Sequence, residues 1–493
     1  MPNPRLRPPT HQAALITVWL LVLLCVGAAE AHQRLVRSEP AADARLDVVP
    51  TELRLTFGEP VGIALTRIEL IGPDGVMVQL GSVEVADGSA NEVVVAVRGG
   101  LSDAGAYQVA WRTVGPDGHP AQGTFVFEVA EGASGLAPAA AEPTPNSDDG
   151  VAAAAASDGA IRAEAFSPRT PYGVNSPTYV AIRWFTYLCL VGLLGVVVFR
   201  GVVLRLVARS YPEESAGIDA QAAARARAIG LAITVVLVPV AGLRLVAQTY
   251  AVAGGAPDVA MVAAVLGGTA WGWGWWIQSA ATLGALVGLW LAGRWQRAGW
   301  SIAAVSVALL ALTPALSGHA IAATGEAPLA LVADAVHVIG AGGWLGTLAI
   351  VVAAGMPPAI ALGDGGRGHA VRALIGAFSP VALIFAGALV ATGVYASWLH
   401  LGGIEALWSS DYGRALSIKL AALALVFGMG AYNFLRVRPM LGDEAGVRRI
   451  RRTSLVELTV GVLVLIITAV LVATPPATET HDVPETSTAE ALR

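Results

Sequence analysis

Thiols are nearly absent from this 493-residue chain, which has two cysteines, six methionines and, among 31 Lys and Arg residues, the single lysine Lys419. Cys25 falls in an N-terminal segment expected to be removed, and Cys189 then stands by itself in an apolar run. Neither an intramolecular disulfide nor a thiolate metal cluster can be built, and Cys189 reads as a small packing residue. Charge is scarce too: 14% of residues are charged, against about 25% in soluble domains, which excludes a single soluble globule. No second lysine exists to complete a Walker-type phosphate loop, so nucleotide-driven machinery of that kind is excluded. Arginines cluster only in short segments between apolar runs, which argues against nucleic-acid binding. No catalytic residue is assigned, and no enzyme activity is expected.

What is present is apolar: 55% of residues are hydrophobic, with several runs long enough to span a bilayer. Residues 1–31 read as a signal peptide, with Arg5 and Arg7 before the apolar stretch Ala13 to Val26 and a small-x-small site at Ala29-Glu30-Ala31. Cleavage after Ala31 makes His32 the first mature residue; retention as an anchor is the alternative, against which the short apolar stretch argues. Residues 32–130 alternate with period two between Pro-Asp-Gly and Asp-Gly turns, with strands expected at 53–57, 64–70, 92–97, 106–111 and 123–129. That spacing predicts an all-β, Ig-like sandwich. Residues 131–176, rich in Ala, Pro, Ser and Gly, read as a flexible linker.

An all-α bundle is expected over 177–474, with eight spans at 178–199, 228–249, 271–293, 298–318, 328–352, 373–399, 412–435 and 453–473, and a tail at 475–493. Arginines fall in alternate loops (Arg205, Arg209, Arg225 and Arg227; Arg294 and Arg297; Arg367 and Arg372; Arg436 to Arg452), while segments 251–270, 319–327 and 400–411 have neither Arg nor Lys. The positive-inside rule therefore places the sandwich and the C-terminal tail outside. Trp271, Trp273, Trp275 and Trp276 read as an interfacial aromatic belt.

Five of the eight histidines, His32, His119, His319, His337 and His400, fall on the outer side or in the outer half of the spans. A free N-terminal histidine chelates through its amine and ring Nδ1, a nitrogen set that favours Cu(II); an ordinary cleavage junction is the plainer reading. Gly115-Pro116-Asp117-Gly118-His119-Pro120 is a turn between two expected strands, where Asp117 and His119 offer an oxygen and a nitrogen, although Asp-Gly is usually turn chemistry only.

At these residues the soluble half resembles CopC-type periplasmic copper-binding domains: His32, then Ser38-Glu39-Pro40-Ala41, the Leu53 to Phe57 strand before Glu59-Pro60-Val61, and the Asp117-Gly118-His119-Pro120 turn. The resemblance implies a Cu(II) site of the His32 amine and imidazole, Asp117 and His119. With Met77 the only methionine of the domain, a methionine-rich Cu(I) site is not expected there. The membrane half resembles the CopD family of inner-membrane copper-resistance or copper-import proteins through Ser317-Gly318-His319-Ala320, Asp334-Ala335-Val336-His337, Gly342 to Gly346, Tyr412-Gly413-Arg414, Lys419 and Asn433.

Ionisable residues within spans are costly and default to function. Asp334 and His337, three apart, share a helix face, about 13 Å below the outer helix end at Pro328, and Trp344 continues that face. His319 and His400 are expected as an outer copper station and Asp334 with His337 as a deeper one, a structural hydrogen-bonded pair being the alternative for the latter. Arg183, Arg244 and Lys419 would repel a metal ion and are not ligands; Lys419 is expected to pair with Asp334 or snorkel outward.

The whole reads as a copper-binding protein of the bacterial cytoplasmic membrane that captures Cu(II) outside, from extracytoplasmic copper donors, and passes it to the bundle for import or homeostasis. The oxidation state in the bundle, Cu(I) or Cu(II), stays open. Two alternatives stand beside it. A haem-linked electron carrier or copper reductase needs two axial ligands facing one slot, and only His337 is deep. Membrane-anchored copper sequestration without transport leaves eight spans with buried charge unexplained.

Overall fold

The structure, a computed structural model, describes residues 34–86, 88–98, 100–101, 103–115, 118, 120–135, 176–317, 327–363, 366–441 and 444–474. The signal peptide, His32, Asp117, His119, most of the linker, His319 and the C-terminal tail lie outside the described residues.

Among the described residues nine strands form two sheets: β1 (Leu35–Glu39), β2 (Arg45–Val48), β3 (Glu52–Phe57), β4 (Arg67–Ile71), β5 (Met77–Val78), β6 (Leu80–Val85), β7 (Glu92–Val97), β8 (Gly105–Val114) and β9 (Pro120–Ser134). One sheet has the order β1-β3-β7-β6 and the other β2-β9-β8-β4-β5; only the β2–β9 pairing is parallel among these ladders. Period-two alternation puts Leu53, Leu55 and Phe57 of β3 on one face, where they are fully buried with Val93, Leu70, Val109 and Phe127. Burying each such side chain contributes about 1.5–3 kcal/mol. Phe57 meets Trp111 edge-on at 5.1 Å, and the cross-strand partner of Trp111 is Gly123, whose missing side chain leaves room for the indole. The Tyr107 hydroxyl donates to the Asp103 carbonyl at 2.8 Å, pinning the chain that leads into β8.

The two-sheet sandwich and all five expected strands are present. The expected strand at 64–70 begins later, at Arg67, because Ile63–Leu65 forms a 3-10 turn. Strands β1, β2, β5 and β6 were not anticipated.

The helices are α1 (Pro177–Ser210), α2 (Pro212–Ala253), α3 (Val259–Gly268), α4 (Ala270–Leu291), α5 (Gln296–Leu312), α6 (Pro328–Ile360), α7 (Arg367–Leu401), α8 (Asp411–Met440) and α9 (Glu444–Leu471). Ser176 caps α1 by accepting from Tyr179 N at 3.2 Å, with Pro177 at the first helical position, and Ser410 caps α8 through Gly413 N at 2.9 Å.

A helix lies at each of the eight expected spans, but six of the described helices, α1, α2, α6, α7, α8 and α9, are long and apolar enough to cross a membrane. Helix α4 is diluted by four tryptophans and Gln278 near its start, and α5 ends at Leu312, two residues before Pro314, which has no backbone N–H to continue the ladder. The expected loop between the first two spans is helical from Pro212, where Glu213 and Glu214 complement the positive helix end. Likewise, 251–270 contains α3, whose Asp258 cap accepts from Met261 N at 2.7 Å.

The chain divides into two compact units. Of the described residues, one holds those within 176–245 and 274–474, and the other those within 34–135 and 246–273. Within the helical unit α1 and α6 make backbone contact: a Cβ on Gly195 would sit 2.2 Å from the Gly346 carbonyl carbon. Residues Gly342–Gly346 form a π-helical turn, and so do Asn433–Val437 in α8. Cys189 packs in this core, 6% exposed.

Candidate metal sites

Asp117 and His119 lie outside the described residues, yet the residue between them is placed. Gly118 donates its N–H to the Gly115 carbonyl at 2.9 Å, closing the turn, and has φ +88, a conformation open to glycine at little cost. Its carbonyl accepts from Gln248 Nε2 at 2.7 Å. A Cβ at Gly118 would fall 2.6 Å from Trp271 Cβ and 3.3 Å from Thr269 Oγ1. Thr269 is held in turn, its hydroxyl donating to the Val265 carbonyl at 2.7 Å and accepting from Gly272 N at 3.0 Å.

Gly118, the residue between the two expected ligands, is therefore gripped, inside the sandwich unit, by the end of α2 and the start of α4. Trp271 is buried there at 2% exposure, which corrects its placement in an aromatic belt, whereas Trp273 and Trp276 are 62% and 50% exposed. Beside the turn, Arg112 of β8 donates to Gln122 at 2.7 Å and covers Gly254, leaving no space for a side chain there. Burial, aided by Arg67, pushes the Arg112 pKa down, against the pull of Glu69.

In the helical unit His337 is half-buried on α6 and its Nδ1 lies 3.0 Å from Thr392 Oγ1 of α7. The single Thr392 hydroxyl proton is already directed at the Ala388 carbonyl, 2.8 Å away, and at that of Leu389, 3.2 Å away. With that proton so placed, Thr392 accepts from His337 when Nδ1 carries the ring proton, the tautomer that leaves the Nε2 lone pair as the donor to a ligand, and the Leu389 carbonyl also accepts from His337. Gly393 makes room for the ring, since a Cβ there would lie 3.5 Å from Cε1. Asp334, one turn earlier, feels the ammonium of Lys419 on α8, which also acts on His337. The expected Asp334–Lys419 relation is thus electrostatic, and the His337 partners are Thr392 and the Leu389 carbonyl, residues no spacing in the sequence pointed to.

His400, half-buried at the end of α7, meets Tyr412 edge-on at 6.1 Å. It lies eight residues, about 12 Å of helix, beyond Thr392, so the structure does not bring His337 and His400 together. Among the described residues no group of three or more His, Cys, Asp or Glu side chains gathers as a metal cluster. Arg183 lies over the Tyr179 ring at 4.3 Å and Arg244 donates to Gln278, so both arginines are engaged with neutral groups.

Three family models match the chain: the CopC domain over 35–130, the copper resistance protein D-like N-terminal domain over 174–329, and copper resistance protein D over 372–471. The copper transport protein CutJ of Bacillus subtilis is 25% identical over 482 residues, which cover 94% of this chain and 78% of that protein. Copper resistance protein C of Pseudomonas syringae pv. tomato is 27% identical over 124 residues, 24% of this chain and 97% of that one. Among solved structures, CopC from Methylosinus trichosporium OB3b matches at 26% identity and TM-score 0.19, covering 20% of this chain and 93% of that one. PcoC, a methionine-rich copper resistance protein from Escherichia coli, matches at 28% identity and TM-score 0.19, covering 20% of this chain and all of that one.

Proposed function

This chain is a fusion of a CopC domain with a membrane domain of the copper resistance protein D type, and from that premise we propose that it captures Cu(II) outside the cytoplasmic membrane and delivers it to the helical bundle for import. In this reading the signal peptide is cleaved after Ala31, and the His32 amine and imidazole, Asp117 and His119 hold the ion. Three nitrogens and one oxygen suit the tetragonal preference of Cu(II). Residues 131–176 keep the loaded sandwich at high effective concentration near the bundle. His400, with His319, receives the ion, and the Nε2 of His337 takes it deeper, with Asp334 balancing charge. The sandwich and the C-terminal tail face outward, as the arginine distribution argues.

The observation that carries the reading is the bond from Gln248 to Gly118. Gln248 belongs to the same continuous helix, α2, that runs on into the membrane unit. The turn offering two of the four copper ligands is thus held by residues continuous with the spans, which is what delivery requires and bare sequestration does not.

Flux into liposomes tests it. With the full chain reconstituted, copper that becomes inaccessible to an external chelator and accumulates beyond the bound stoichiometry supports import. Copper that stays at one ion per chain and is stripped by the chelator contradicts it in favour of sequestration.

A further inference from the structure

Glu457 of α9 is a carboxyl at 3% exposure inside the helical unit, and no step above uses it. The groups that face it are neutral. Asn433 Nδ2 donates to its Oε2 at 3.0 Å, the Trp344 indole N–H donates to the same carboxyl, and Gly430 lies beneath Oε1, where a Cβ would come to 3.5 Å. Ionisable groups on the flanking helices are engaged elsewhere. Arg449 of α9 bonds to Tyr432 of α8, Arg372 of α7 to the Leu441 carbonyl at 2.8 Å, and Arg200 of α1 lies 6.0 Å from the Trp300 ring centroid.

Beside this carboxyl sits an orphan. Asn433, 8% exposed, uses its amide N–H on Glu457 while its Oδ1 is buried with no hydrogen-bond partner. A buried acceptor without a donor is costly and marks something missing. A carboxylic acid and a primary amide satisfy one another through two hydrogen bonds, N–H to C=O and O–H to C=O. The first of these is present; the second needs only a proton on the carboxyl. A metal ion would need further donors, and among the described residues Glu457 belongs to no group of three or more His, Cys, Asp or Glu side chains.

Its surroundings suit a working site rather than a structural one. Asn433 opens the π-helical turn of α8, and Trp344 is the middle residue of the π-helical turn of α6; such turns recur at functional positions. Trp344 lies seven residues after His337 on one helix, hence near the same face and about 10 Å further along. On α9, Glu457 is five residues, about 8 Å, beyond Arg452 at the arginine-rich end. One helix thus links the deeper copper station to this carboxyl, and the carboxyl sits close to one aqueous side.

We propose that Glu457, with Asn433 and Trp344, is a proton-binding site of the membrane domain, and that copper passage is coupled to proton exchange there. The inference rests on the transport reading. A cation arriving at His337 disfavours the proton on Glu457, which leaves toward the arginine-rich side; when copper moves on, the carboxyl takes a proton back from the outer side, along the path copper has vacated, and the acid–amide pair re-forms. One proton is released and one regained per cycle, and no bond other than O–H changes.

The test uses the full chain in liposomes enclosing a pH dye. With the arginine-rich face toward the lumen, wild type is expected to acidify the lumen as copper enters, and a one-unit gradient, alkaline inside, to raise steady-state copper accumulation about tenfold per coupled proton. Glu457→Gln, nearly isosteric, is expected to abolish both the proton signal and the gradient dependence. Uptake by wild type without a pH change, or a proton signal that survives in Glu457→Gln, overturns the proposal.

If wild type moves no copper at all, the transport reading fails instead, and the proton site is read directly by pH-difference infrared spectroscopy. A carboxyl C=O band that is absent from Glu457→Gln, appears and disappears with pH, and shifts in Asn433→Leu supports the site. The absence of that band across the pH range overturns it.

Discussion

Replacing Gln248 by alanine removes the one side-chain donor seen on the Gly118 carbonyl, a 2.7 Å bond between buried partners. The net bond itself is worth about 1 kcal/mol, and stranding the buried carbonyl brings the cost to about 1–3 kcal/mol. Spent on the turn between Asp117 and His119, that lowers the population of its gripped conformation about 5- to 150-fold. Where the gripped turn is the copper-competent one, the apparent affinity falls by the same factor. The assay is a Cu(II) titration of the full chain in detergent against a chromophoric chelator. Gly118→Ala supplies the control. Alanine at φ +88 costs about 1–2 kcal/mol and would press on Trp271, so it releases the turn by another route. Because both changes act on one peptide, their effects should be strongly non-additive, with Gln248→Ala adding little once Gly118→Ala is present. A Gln248→Ala affinity within about twofold of wild type, or full additivity in the double variant, refutes pre-organisation of the turn by Gln248.

Three further outcomes follow from the same geometry. Thr392→Val removes an acceptor for the Nδ1-protonated His337 tautomer, costing about 0.5–1.5 kcal/mol; copper flux should fall about 2- to 10-fold while Thr392→Ser stays near wild type, and equal flux in both variants contradicts the tautomer argument. Gly195→Ala, whose Cβ would meet the Gly346 carbonyl carbon at 2.2 Å, should sharply lower the melting temperature or the yield of folded protein. Gly201→Ala, with nothing within 4 Å, should be neutral or gain up to about 1 kcal/mol; comparable losses in the two would contradict the packing of α1 on α6. Burial raises the Glu69 carboxyl above its usual 4.5, opposed by Arg67 and Arg112. A raised folded value means that its stabilisation is full below the unfolded value and is lost as pH rises through the folded one. Glu69→Gln should therefore gain stability relative to wild type on going from acid to neutral pH, and a melting-temperature difference constant with pH contradicts this.

Much of the fold was legible because it is written in local periodicity. Strands β3, β7, β8 and β9 carry clean alternation, whereas β1, β2 and β5 are only two to five residues long and lie at sheet edges or next to them, where few side chains need burying. All eight helical positions could be read from apolar runs, but not the helix at 212–227, whose buried stripe is one isoleucine and two alanines, Ile218, Ala222 and Ala226, too slight to form an apolar run. Scarcity singled out the histidines. Contacts across long sequence separations could not be seen: Gly118 with Gln248, His337 with Thr392 and Asn433 with Glu457 are joined by packing, and no spacing rule pairs them. Trp271 shows the cost of reading locally, since Trp273 and Trp276 are exposed while it turns inward against a glycine about 150 residues away.

The central claim is that copper captured by the sandwich is what the bundle imports. Its most direct measurement is copper accumulation at limiting external copper in cells carrying wild type, His32→Ala, His119→Ala or the double variant, with N-terminal sequencing of the mature chain and copper stoichiometry measured in parallel. The account predicts a mature chain beginning at His32, one Cu(II) per sandwich, and accumulation lost in either single variant with no further loss in the double. Accumulation unchanged from wild type in the double variant would contradict it.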